Sequence, residues 1–520
     1  KFLRDGTHLA TWNSSGPEGD EFRSPRGIAL DANGNVYVTE TDNHRIQKLT
    51  PEGMLIASWG SAGSGKGQLH HPGDTAVDGD GSTAFVTDTG NHRVQVFVRI
   101  SSPGSPSSGV RYYFPHVAVS SAWQTEVAII NTDPDRSLNG SLHPYDSSGT
   151  EVAEPLPVTV PARGRLQIDV GATFTDAVSI RYLVLETDTF LAAGYTKFSQ
   201  QGIERAAIPA VSETNSGDIW LSHIASSEYW WTGLALVNTT DTTRELSIEF
   251  NNGAIRSVAL GANEHASFTI ESFFDGAPQP SIHTAVIRDA EGIVGLELFG
   301  STTQLSGILL TDKTSTALYY PHVASDATWW TGIVAFNAFS LGPAVLDIQP
   351  YAADGSALGP ISQELTVYGR LVGETTGLGI PAEAAWFSIT VPSGALSGFE
   401  LFGTRDNSVT DGFSSIGINR YEGVFAKIEK DGWTGIALVN TEDVPGMVTL
   451  TGYDHEGTAV ATTMTELAAH QKIVGTVETL FSGNDVSTAT YVGYSSNCRI
   501  AGFQLNGSGD GTMMDGLPGM

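Results

Sequence analysis

The stretch Trp230-Trp231-Thr232-Gly233-Leu234-Ala235-Leu236-Val237-Asn238 recurs through the chain and decides how the chain divides. Close copies run from Trp329 to Asn337 and from Gly432 to Asn440, and a weaker copy runs from Trp123 to Asn131. The closing asparagines are spaced by roughly 100 residues, which is too long for a solenoid repeat and suits a small β-sandwich. The sequence therefore predicts one domain type used four times.

The four units share one internal order of signals. An aromatic-rich strand opens the unit, the tryptophan strand follows, and a hairpin comes next, such as the one with the turn Asp354-Gly355. Turn signals about 8–12 residues apart indicate short antiparallel strands. The pattern is similar to sandwich repeats of large secreted or surface proteins of bacteria. We therefore expect an all-β chain whose tandem Ig-like β-sandwich domains cover residues 111–212, 218–316, 317–419 and 420–520.

A shorter repeat occupies residues 1–98, where Asn43-His44-Arg45-Ile46-Gln47 returns as Asn91-His92-Arg93-Val94-Gln95. Each copy follows two apolar segments joined by a hairpin turn, as in a propeller blade. These residues closely resemble the NHL repeat. The resemblance implies the end of a β-propeller, with a half blade at Lys1 and upstream blades missing, so residues 1–98 should not close a ring. The Ser/Pro/Gly-rich residues 99–110 predict a linker.

Composition excludes several function classes. The chain has 57 acidic and 27 basic residues and a net charge of −30. Such a surface repels phosphate backbones and anionic lipids, so nucleic acid is not an expected partner. The single cysteine, Cys498, excludes internal disulfides and is expected to be a buried apolar group. No apolar run reaches the length of a membrane span, so we expect no membrane insertion.

Aromatic residues are the only recognition candidates. Side chains alternate along the tryptophan strand, so Trp231 shares a face with Gly233 and Ala235. Because these small residues leave room for an indole ring, the second tryptophan of a unit is predicted to lie in a sandwich core, as Trp231, Trp330 and Trp433. The outer aromatics could form a stacking platform for sugars or a partner surface, and packing against a neighbouring repeat is the alternative. The candidates are Trp230, Trp329, Tyr319 and Tyr320.

Metal and catalytic sites are not predicted. Asp-x-Asn/Asp-Gly segments at Asp31, Asn33, Asp78 and Asp80 resemble calcium-loop fragments but lack the distant bidentate glutamate, so plain hairpin turns are favoured. His44 and His92 could line a metal-bearing channel, as the resemblance to NHL-fold lyases implies, but a structural role within the repeat is favoured.

The histidines that follow the aromatic strands of the large repeats lie in different units and should not converge on one metal. They are His116, His223 and His322, with Phe425 placed at the same position in the fourth unit. No nucleophile elbow or zinc-binding helix motif appears either. We expect neither a cofactor nor a catalytic residue.

These patterns favour an extracellular, bacterial surface protein without enzymatic activity. Short links between the units predict a stiff rod that carries a propeller and adheres to other proteins, to cell-surface polysaccharide or head-to-tail to copies of itself. Two alternatives stay open. One is a carbohydrate-binding protein that uses the tryptophan repeats. The other is a lyase- or lactonase-type enzyme on the propeller with a sandwich spacer.

Overall fold

The structure is a computed structural model and forms two compact units, Lys1–Ser108 and Gly109–Met520. It describes residues 22–31, 35–49, 55–65, 67–77, 83–98, 110–189, 191–200, 204–301, 304–338, 342–392, 395–406, 410–414 and 419–520. The half blade predicted at Lys1, residues 99–109 of the predicted linker 99–110 and the turn residues Asn33, Asp78 and Asp80 lie outside these ranges.

The first unit contains two small antiparallel sheets. The first sheet holds β1 (Pro25–Leu30), β2 (Val36–Glu40), β3 (Arg45–Leu49) and β4 (Leu55–Trp59), and the second holds β5 (Asp74–Val77), β6 (Thr83–Asp88) and β7 (Arg93–Val98). A 3-10 turn, Thr89–Asn91, precedes β7. Strand β1 packs against β5, and Tyr37, Ile46, Leu69 and Val86 form a shared buried cluster. Successive strands pair in chain order, as in the blades of a propeller.

The Asn-His-Arg tripeptide shapes the turn between two strands of each sheet. Arg45 Nε lies 2.8 Å from Glu40 Oε1, and Asn43 Nδ2 donates to the same carboxylate. In the second sheet Arg93 and Asn91 hold Asp88 in the same way, at 2.8 and 2.9 Å. The histidine between them adopts a left-handed backbone, with φ of 54° at His44 and 55° at His92. The histidines therefore serve the turn through their main chain.

The second unit is built from four repeats of eight strands, or seven in the last. Repeat 1 holds β8 (Val110–Phe114), β9 (Trp123–Asn131), β10 (Leu138–Tyr145), β11 (Leu156–Val160), β12 (Arg165–Asp169), β13 (Tyr182–Thr187), β14 (Ala192–Gln200) and β15 (Glu204–Pro209). Repeat 2 holds β16 (Ile219–Leu221), β17 (Trp231–Asn238), β18 (Arg244–Phe250), β19 (Ile255–Leu260), β20 (His265–Thr269), β21 (Ala285–Arg288), β22 (Ile293–Gly300) and β23 (Leu305–Leu309).

Repeats 3 and 4 complete the unit. Repeat 3 holds β24 (Ala317–Tyr320), β25 (Trp329–Asn337), β26 (Ala344–Tyr351), β27 (Ile361–Leu365), β28 (Arg370–Glu374), β29 (Trp386–Thr390), β30 (Leu396–Thr404) and β31 (Thr410–Ser414). Repeat 4 holds β32 (Arg420–Phe425), β33 (Gly432–Asn440), β34 (Gly446–Tyr453), β35 (Ala459–Leu467), β36 (Lys472–Thr476), β37 (Tyr491–Ser508) and β38 (Met514–Pro518). Short helical turns after the fifth strands are α1 (Val170–Thr173), α2 (Val477–Leu480), Ile270–Phe274 and Thr375–Leu378, with one more at Ala177–Ser179.

In repeats 1 to 3 the strands form two four-stranded sheets around a buried apolar core. Numbered within the repeat, one sheet has the order 4-3-6-1 and the other 5-2-7-8. Constant-type immunoglobulin domains instead combine strands 1, 2, 5 and 4 in one sheet and 3, 6 and 7 in the other. In repeat 4 the sixth and seventh strands are continuous as β37, whose first half pairs with β34 and second half with β33.

The asparagine that closes each tryptophan strand is fully buried and holds two loops together. Asn238 Nδ2 donates to Thr242 O at 2.7 Å and to Gly261 O at 2.8 Å. Equivalent bonds reach the turn between the fourth and fifth strands of the other repeats, from Asn131 to Pro161 O, Asn337 to Thr366 O and Asn440 to Ala468 O. We call this turn, at residues 161–164, 261–264, 366–369 and 468–471, the junction turn.

The four repeats close into a ring. The last strand of each repeat, β15, β23, β31 or β38, packs against the last strand of the next, and β38 packs against β15. Buried apolar clusters form at the junction of repeats 1 and 2, of 2 and 3, of 3 and 4, and of 4 and 1. The expected stiff rod is therefore wrong, because each repeat buries surface against two neighbours and the first meets the last.

Junction turns insert into the preceding repeat. Their third residue is left-handed in all four repeats, with φ of 56° at Arg163, 58° at Asn263, 55° at Tyr368 and 58° at His470. Its carbonyl accepts a bond from an aromatic residue of the preceding repeat at three junctions: Tyr491 OH to Arg163 O at 2.6 Å, Tyr182 OH to Asn263 O at 2.7 Å and Trp386 Nε1 to His470 O at 2.8 Å. Thr284 takes the aromatic position in repeat 2, so the junction of repeats 2 and 3 lacks this bond.

Two glycines in the hairpin between the third and fourth strands test the contact between repeats 4 and 1. They are Gly457 of repeat 4 and, as a control, Gly253 of repeat 2. Gly457 has φ of 81°, and an added Cβ would lie 2.0 Å from Ala162 O of repeat 1. Gly253 has a similar φ of 86°, but an added Cβ would meet nothing within 4 Å. We expect Gly253→Ala to cost only the left-handed backbone strain, roughly 1–2 kcal/mol. Gly457→Ala should cost a further 1–3 kcal/mol or so from the backbone clash. Urea unfolding of both variants measures the difference, and equal costs would contradict the closure contact.

Candidate functional site: the junctions between repeats

Each junction brings together two ionisable or hydrogen-bonding residues from neighbouring repeats. One lies two residues after the opening strand of a repeat, and the other begins the fifth strand of the next repeat, directly after the junction turn. Three of these pairs are in contact: His116 with His265, His223 with Arg370, and His322 with Lys472. At the fourth junction the two positions hold Lys427 and Arg165, and Arg165 Nε donates to Ala426 O, next to Lys427, at 3.2 Å. His116, His223 and His322 therefore share one repeated structural role between neighbouring repeats.

The fourth position corrects the sequence alignment. Phe425 pairs with Val492, as Phe114 pairs with Leu183 and Tyr320 with Phe387, so Phe425 matches those core aromatics. Lys427, two residues further on, takes the histidine position. The alignment was wrong because β32 was matched by its apolar residues without the strand pairing that fixes the register.

Burial keeps the paired imidazoles neutral. His116 Nδ1 lies 3.3 Å from His265 Nε2, and the rings stack with centroids 5.5 Å apart. Burial, assisted by the Arg181 charge, lowers the pKa of His116 to about 4, and burial with the neighbouring His116 lowers that of His265 to about 3. A neutral pair fits this contact, because one ring nitrogen can donate its proton while the other accepts it.

The two middle junctions place a cation against a neutral histidine. Arg370 Nη1 contacts His223 Nδ1, and burial, followed by the Arg370 charge, lowers the pKa of His223 to about 3. Lys472 Nζ lies 2.6 Å from His322 Nδ1 and 2.8 Å from Ala385 O. Burial also lowers the pKa of Lys472, to about 7. Both histidines therefore act as acceptors for the cation of the next repeat.

The junction of repeats 4 and 1 is ionic. Arg205 Nε of repeat 1 lies 2.7 Å from Asp515 Oδ2 of repeat 4, and Arg205 Nη2 donates to Asn506 O at 2.6 Å. Lys427 Nζ lies 2.5 Å from Glu429 and 3.9 Å from Asp515, which also accepts from Asn506 Nδ2 at 2.8 Å. Burial raises the pKa of Asp515, but the charges of Lys427 and Arg205 outweigh it and hold the pKa below its ordinary value.

A second layer of polar groups surrounds this ion cluster. Lys197 Nζ lies 3.0 Å from Glu126 Oε2, and Tyr195 OH donates to the other oxygen of Glu126 at 2.6 Å. Arg165 Nη2 in turn donates to Tyr195 OH at 2.7 Å. The sequence signal that could have revealed this junction is the loss of both tryptophans there, since Gln124 and Gly432 stand where the other repeats have them.

Removing Asp515 tests the ion cluster. Asp515→Ala leaves Arg205 and Lys427 buried with Glu429 but without Asp515, so their positive charges are no longer balanced, which typically costs about 3–5 kcal/mol. The exposed Asp241→Ala provides the control and should stay within about 0.5 kcal/mol of the parent protein. Chemical denaturation of both variants gives the comparison. A loss below about 1 kcal/mol for Asp515→Ala would show that the cluster does not hold the ring closed.

Two fully buried glutamates occupy one position of the seventh strand. Glu297 pairs with Leu234 and Glu400 with Ile333, and Gln504 holds the matching position opposite Ile436 in repeat 4. Gln504 spans the Lys427 main chain, donating to Lys427 O at 3.0 Å and accepting from Lys427 N at 3.4 Å. Burial raises the pKa of Glu297 and Glu400 well above the ordinary range, so both are held as neutral acids. A neutral acid can donate one bond and accept another, as the Gln504 amide does.

These glutamates predict a loss of stability on raising pH. The unfolded chain releases their protons above the ordinary pKa of 4.5, whereas the folded protein retains them. Each retained proton lowers the free energy of unfolding by about 1.4 kcal/mol per pH unit up to the folded pKa. The double variant Glu297→Gln, Glu400→Gln should therefore lose less stability than the parent between about pH 5 and pH 8. Urea midpoints across this range measure it, with the exposed Glu364→Gln as control, and parallel pH profiles would contradict the assignment.

The second tryptophans lie outside the sandwich cores. Leu234 and Leu236 of β17 face the core of repeat 2, so Trp231 points from the opposite face toward the neighbouring repeat. Its indole lies across Gly233 and Gly300, and Trp330 and Trp433 lie across matching glycine pairs. The predicted core location is therefore wrong. The glycines leave space for the indole on the face of the sheet that packs against the neighbouring repeat, not on the face that packs into the core.

The four predicted recognition aromatics have different surroundings. Tyr320 is fully buried in the core of repeat 3 and donates to Val334 O at 2.8 Å. Trp329 packs into the cluster between repeats 3 and 4, and the half-buried Tyr319 interacts with Asn419, which directly precedes β32, and with Arg499 of repeat 4. Trp230 is half-buried beside the exposed Tyr229. The structure does not bring the four together as one platform.

Other candidate groups are structural in the described residues. Cys498 is buried in the core of repeat 4. Asp31 closes its hairpin, accepting from Asn35 N at 2.9 Å and lying 3.3 Å from Lys48 Nζ. No cluster of three or more His, Cys, Asp or Glu side chains with metal-binding geometry occurs in the part of the chain that the structure describes. No helix in that part is long and apolar enough to cross a membrane.

Comparison with known proteins concerns the first unit. A family model, NHL repeat, matches residues 22–49 and 69–97. The chain contains two NHL repeats. This segment is 32% identical over 78 residues to Protein brain tumor of Drosophila melanogaster, covering 15% of this chain and 8% of that protein. It is 30% identical over 80 residues to NHL repeat-containing protein 3 of Homo sapiens, covering 15% and 23%. The chain thus spans less than a quarter of the length of these relatives.

Two solved structures are similar to this chain only at low scores. One is described as giving structural insight into host cell surface retention of a 1.5-MDa bacterial ice-binding adhesin, with 11% identity, 63% of this chain and 89% of that chain covered, and a TM-score of 0.10. The other is SGBP-B of the Bacteroides ovatus mixed-linkage glucan utilization locus with a heptasaccharide, with 11% identity, 75% and 98% covered, and a TM-score of 0.11. Neither score supports a shared fold.

Proposed function

We propose that this protein is a non-catalytic, extracellular surface protein that binds other proteins, with the four-repeat ring as a rigid platform. The observation that carries the proposal is ring closure, which uses the strongly perturbed histidines, lysines and carboxylates of the second unit as structural contacts. Perturbed pKa values often mark catalytic sites. Here they recur at matching positions of successive junctions, so the architecture accounts for them without a reaction.

The sequence pattern supports the extracellular location. The tryptophan-strand repeats resemble sandwich repeats of bacterial secreted and surface proteins, and a net charge of −30 favours solubility in contact with many partners. A closed ring suits an adhesive or scaffolding role better than a stalk, because it does not extend along one axis. A head-to-tail filament of sandwiches would need free faces on repeats 1 and 4, and these faces bury each other.

Protein binding is assigned first to the NHL repeats. NHL repeats commonly mediate protein–protein interaction, and the second sheet exposes an apolar face. Phe85, Val94 and Val96 on this face are 46%, 60% and 54% exposed. Adjacent exposed apolar side chains mark interaction surfaces more often than isolated ones do. A propeller-borne lyase or lactonase remains the competing hypothesis, and no geometry of the described residues favours it.

Surface labelling and crosslinking test this function together. The full-length protein in its producing cells should react with a membrane-impermeant biotin ester. A photoreactive residue in place of Phe85 should form a covalent adduct with a specific protein, whereas the same residue in place of Ile255, an exposed apolar position on repeat 2, should not. Absence of biotin labelling on intact cells would contradict the proposed location at the cell surface. Adducts of equal yield at both positions, or no adduct at either position, would contradict the assignment of the protein-binding face.

A further inference from the structure

A cleft opens at the junction of repeats 2 and 3. It has a volume of 360 Å³ and is lined by His223 of repeat 2 and by Trp330, Val372, Glu374 and Arg405 of repeat 3, among others. Ligand sites commonly have volumes of about 300–1,000 Å³ and combine an apolar wall with a few polar groups. The cleft is therefore large enough for one or two sugar rings.

The matching indoles are packed at the neighbouring junctions. Trp231 packs with Phe198 and Trp123 between repeats 1 and 2, and Trp433 packs with Phe402 and Trp329 between repeats 3 and 4. Among the described residues, the buried cluster between repeats 2 and 3 contains Phe299 and Phe399 but no tryptophan. The same side chain that packs into the two neighbouring junctions thus lines an open space here.

The indole ring of Trp330 forms one flat wall of the cleft. Its indole lies across Gly332 and Gly403, and its Nε1 donates to Thr404 O at 3.2 Å. One face of the ring therefore rests on the sheet, and the opposite face is the one that a ligand in the cleft would meet. The Thr404 bond fixes the orientation of the ring, so little entropy is lost when a ligand stacks on it.

An ion pair unique to repeat 3 supplies the polar groups. Arg405 Nη1 lies 3.3 Å from Glu374 Oε2, with side chains 39% and 47% exposed, and Arg405 Nε donates to Asp326 O at 2.7 Å. Repeat 2 has Thr269 and Thr302 at these positions, and repeat 4 has Thr476 and Gly509. Donors and acceptors beside an indole face therefore occur together in the repeat that has the cleft.

We propose that this cleft binds a neutral hexopyranose, as a free sugar or as one residue of a glycan. A pyranose presents an apolar face that stacks on an indole and hydroxyl groups that both donate and accept hydrogen bonds. Glu374 provides acceptors and Arg405 provides donors, and together they carry no net charge. Arg405 opposes a cationic ligand at the tryptophan, and the net charge of −30 opposes an anionic sugar.

Saturation-transfer NMR and titration calorimetry on the full chain test the site. The probes are the methyl glycosides of glucose, galactose and mannose and a β-linked glucotetraose. We expect at least one to bind with a Kd of about 0.1–5 mM, as suits a small, shallow site. Trp330→Ala should weaken binding about tenfold or more. Its matched controls, Trp231→Ala and Trp433→Ala, should bind as the parent protein does.

A rim variant separates binding from folding. Glu374→Ala removes a half-exposed carboxylate, so it should keep the unfolding midpoint of the parent while weakening the sugar about threefold or more. Failure of all neutral probes to bind the parent protein, or an affinity in Trp330→Ala and Glu374→Ala that equals that of the parent protein, would overturn the proposal. Stronger binding of choline or of N-acetyltyrosine amide at the same cleft would also overturn it, because either result assigns a different ligand class. These outcomes do not affect the proposed protein-binding face on the NHL repeats.

Discussion

The buried amide of the closing asparagine is the interaction on which the ring depends. Asn131, Asn238, Asn337 and Asn440 each donate to the first carbonyl of a junction turn. Asn238 Oδ1 also accepts from Thr240 N at 3.0 Å, so one side chain fixes both loops at that end of the repeat. With the turn fixed, its left-handed third residue and the first residue of the next strand reach the preceding repeat. An apolar residue at this position would leave buried carbonyls unpaired, at about 1–3 kcal/mol for each lost partner.

Ring closure requires one junction to be formed between the two ends of the unit. The other three junctions join repeats that are already neighbours along the chain, whereas repeat 1 meets repeat 4 only after the whole unit has folded. That junction carries the buried ions Arg205, Lys427 and Asp515, while tryptophans pack the junctions of repeats 1 and 2 and of repeats 3 and 4. Buried ions add little to stability but penalise a wrong partner strongly, since each would be left unpaired. Their position thus favours the correct closure over pairing of repeat 4 with the apolar junction face of another repeat.

Much of the local structure follows from the sequence, but the ring does not. The all-β class and the two NHL repeats are confirmed, because alternation, turn residues and the Asn-His-Arg motif act within a few residues. Short links between repeats imply fixed angles between neighbours, and a fixed angle is compatible with a rod. Unlike surfaces that meet at a fixed angle give either an open filament or a closed ring, depending on whether the rotation sums to a full turn. No residue pattern in one repeat encodes that sum.

The junction residues also show that the sequence of one repeat does not specify how it contacts its neighbours. Sequence periodicity placed Trp231 on a face with Gly233 and Ala235 correctly, but it could not say which face meets the core. Both faces of the 5-2-7-8 sheet are buried, one by the repeat itself and the other by its neighbour, so small residues on one face are compatible with either. Departures from the repeat are more informative than the repeat itself. The ionic junction coincides with Gln124 and Lys427, and the cleft coincides with Glu374, Arg405 and Thr284. In a ring of near-equivalent junctions, a residue that departs from the repeat pattern alters a single junction. A specific binding site can therefore form at that junction without changing the contacts that hold the other three together.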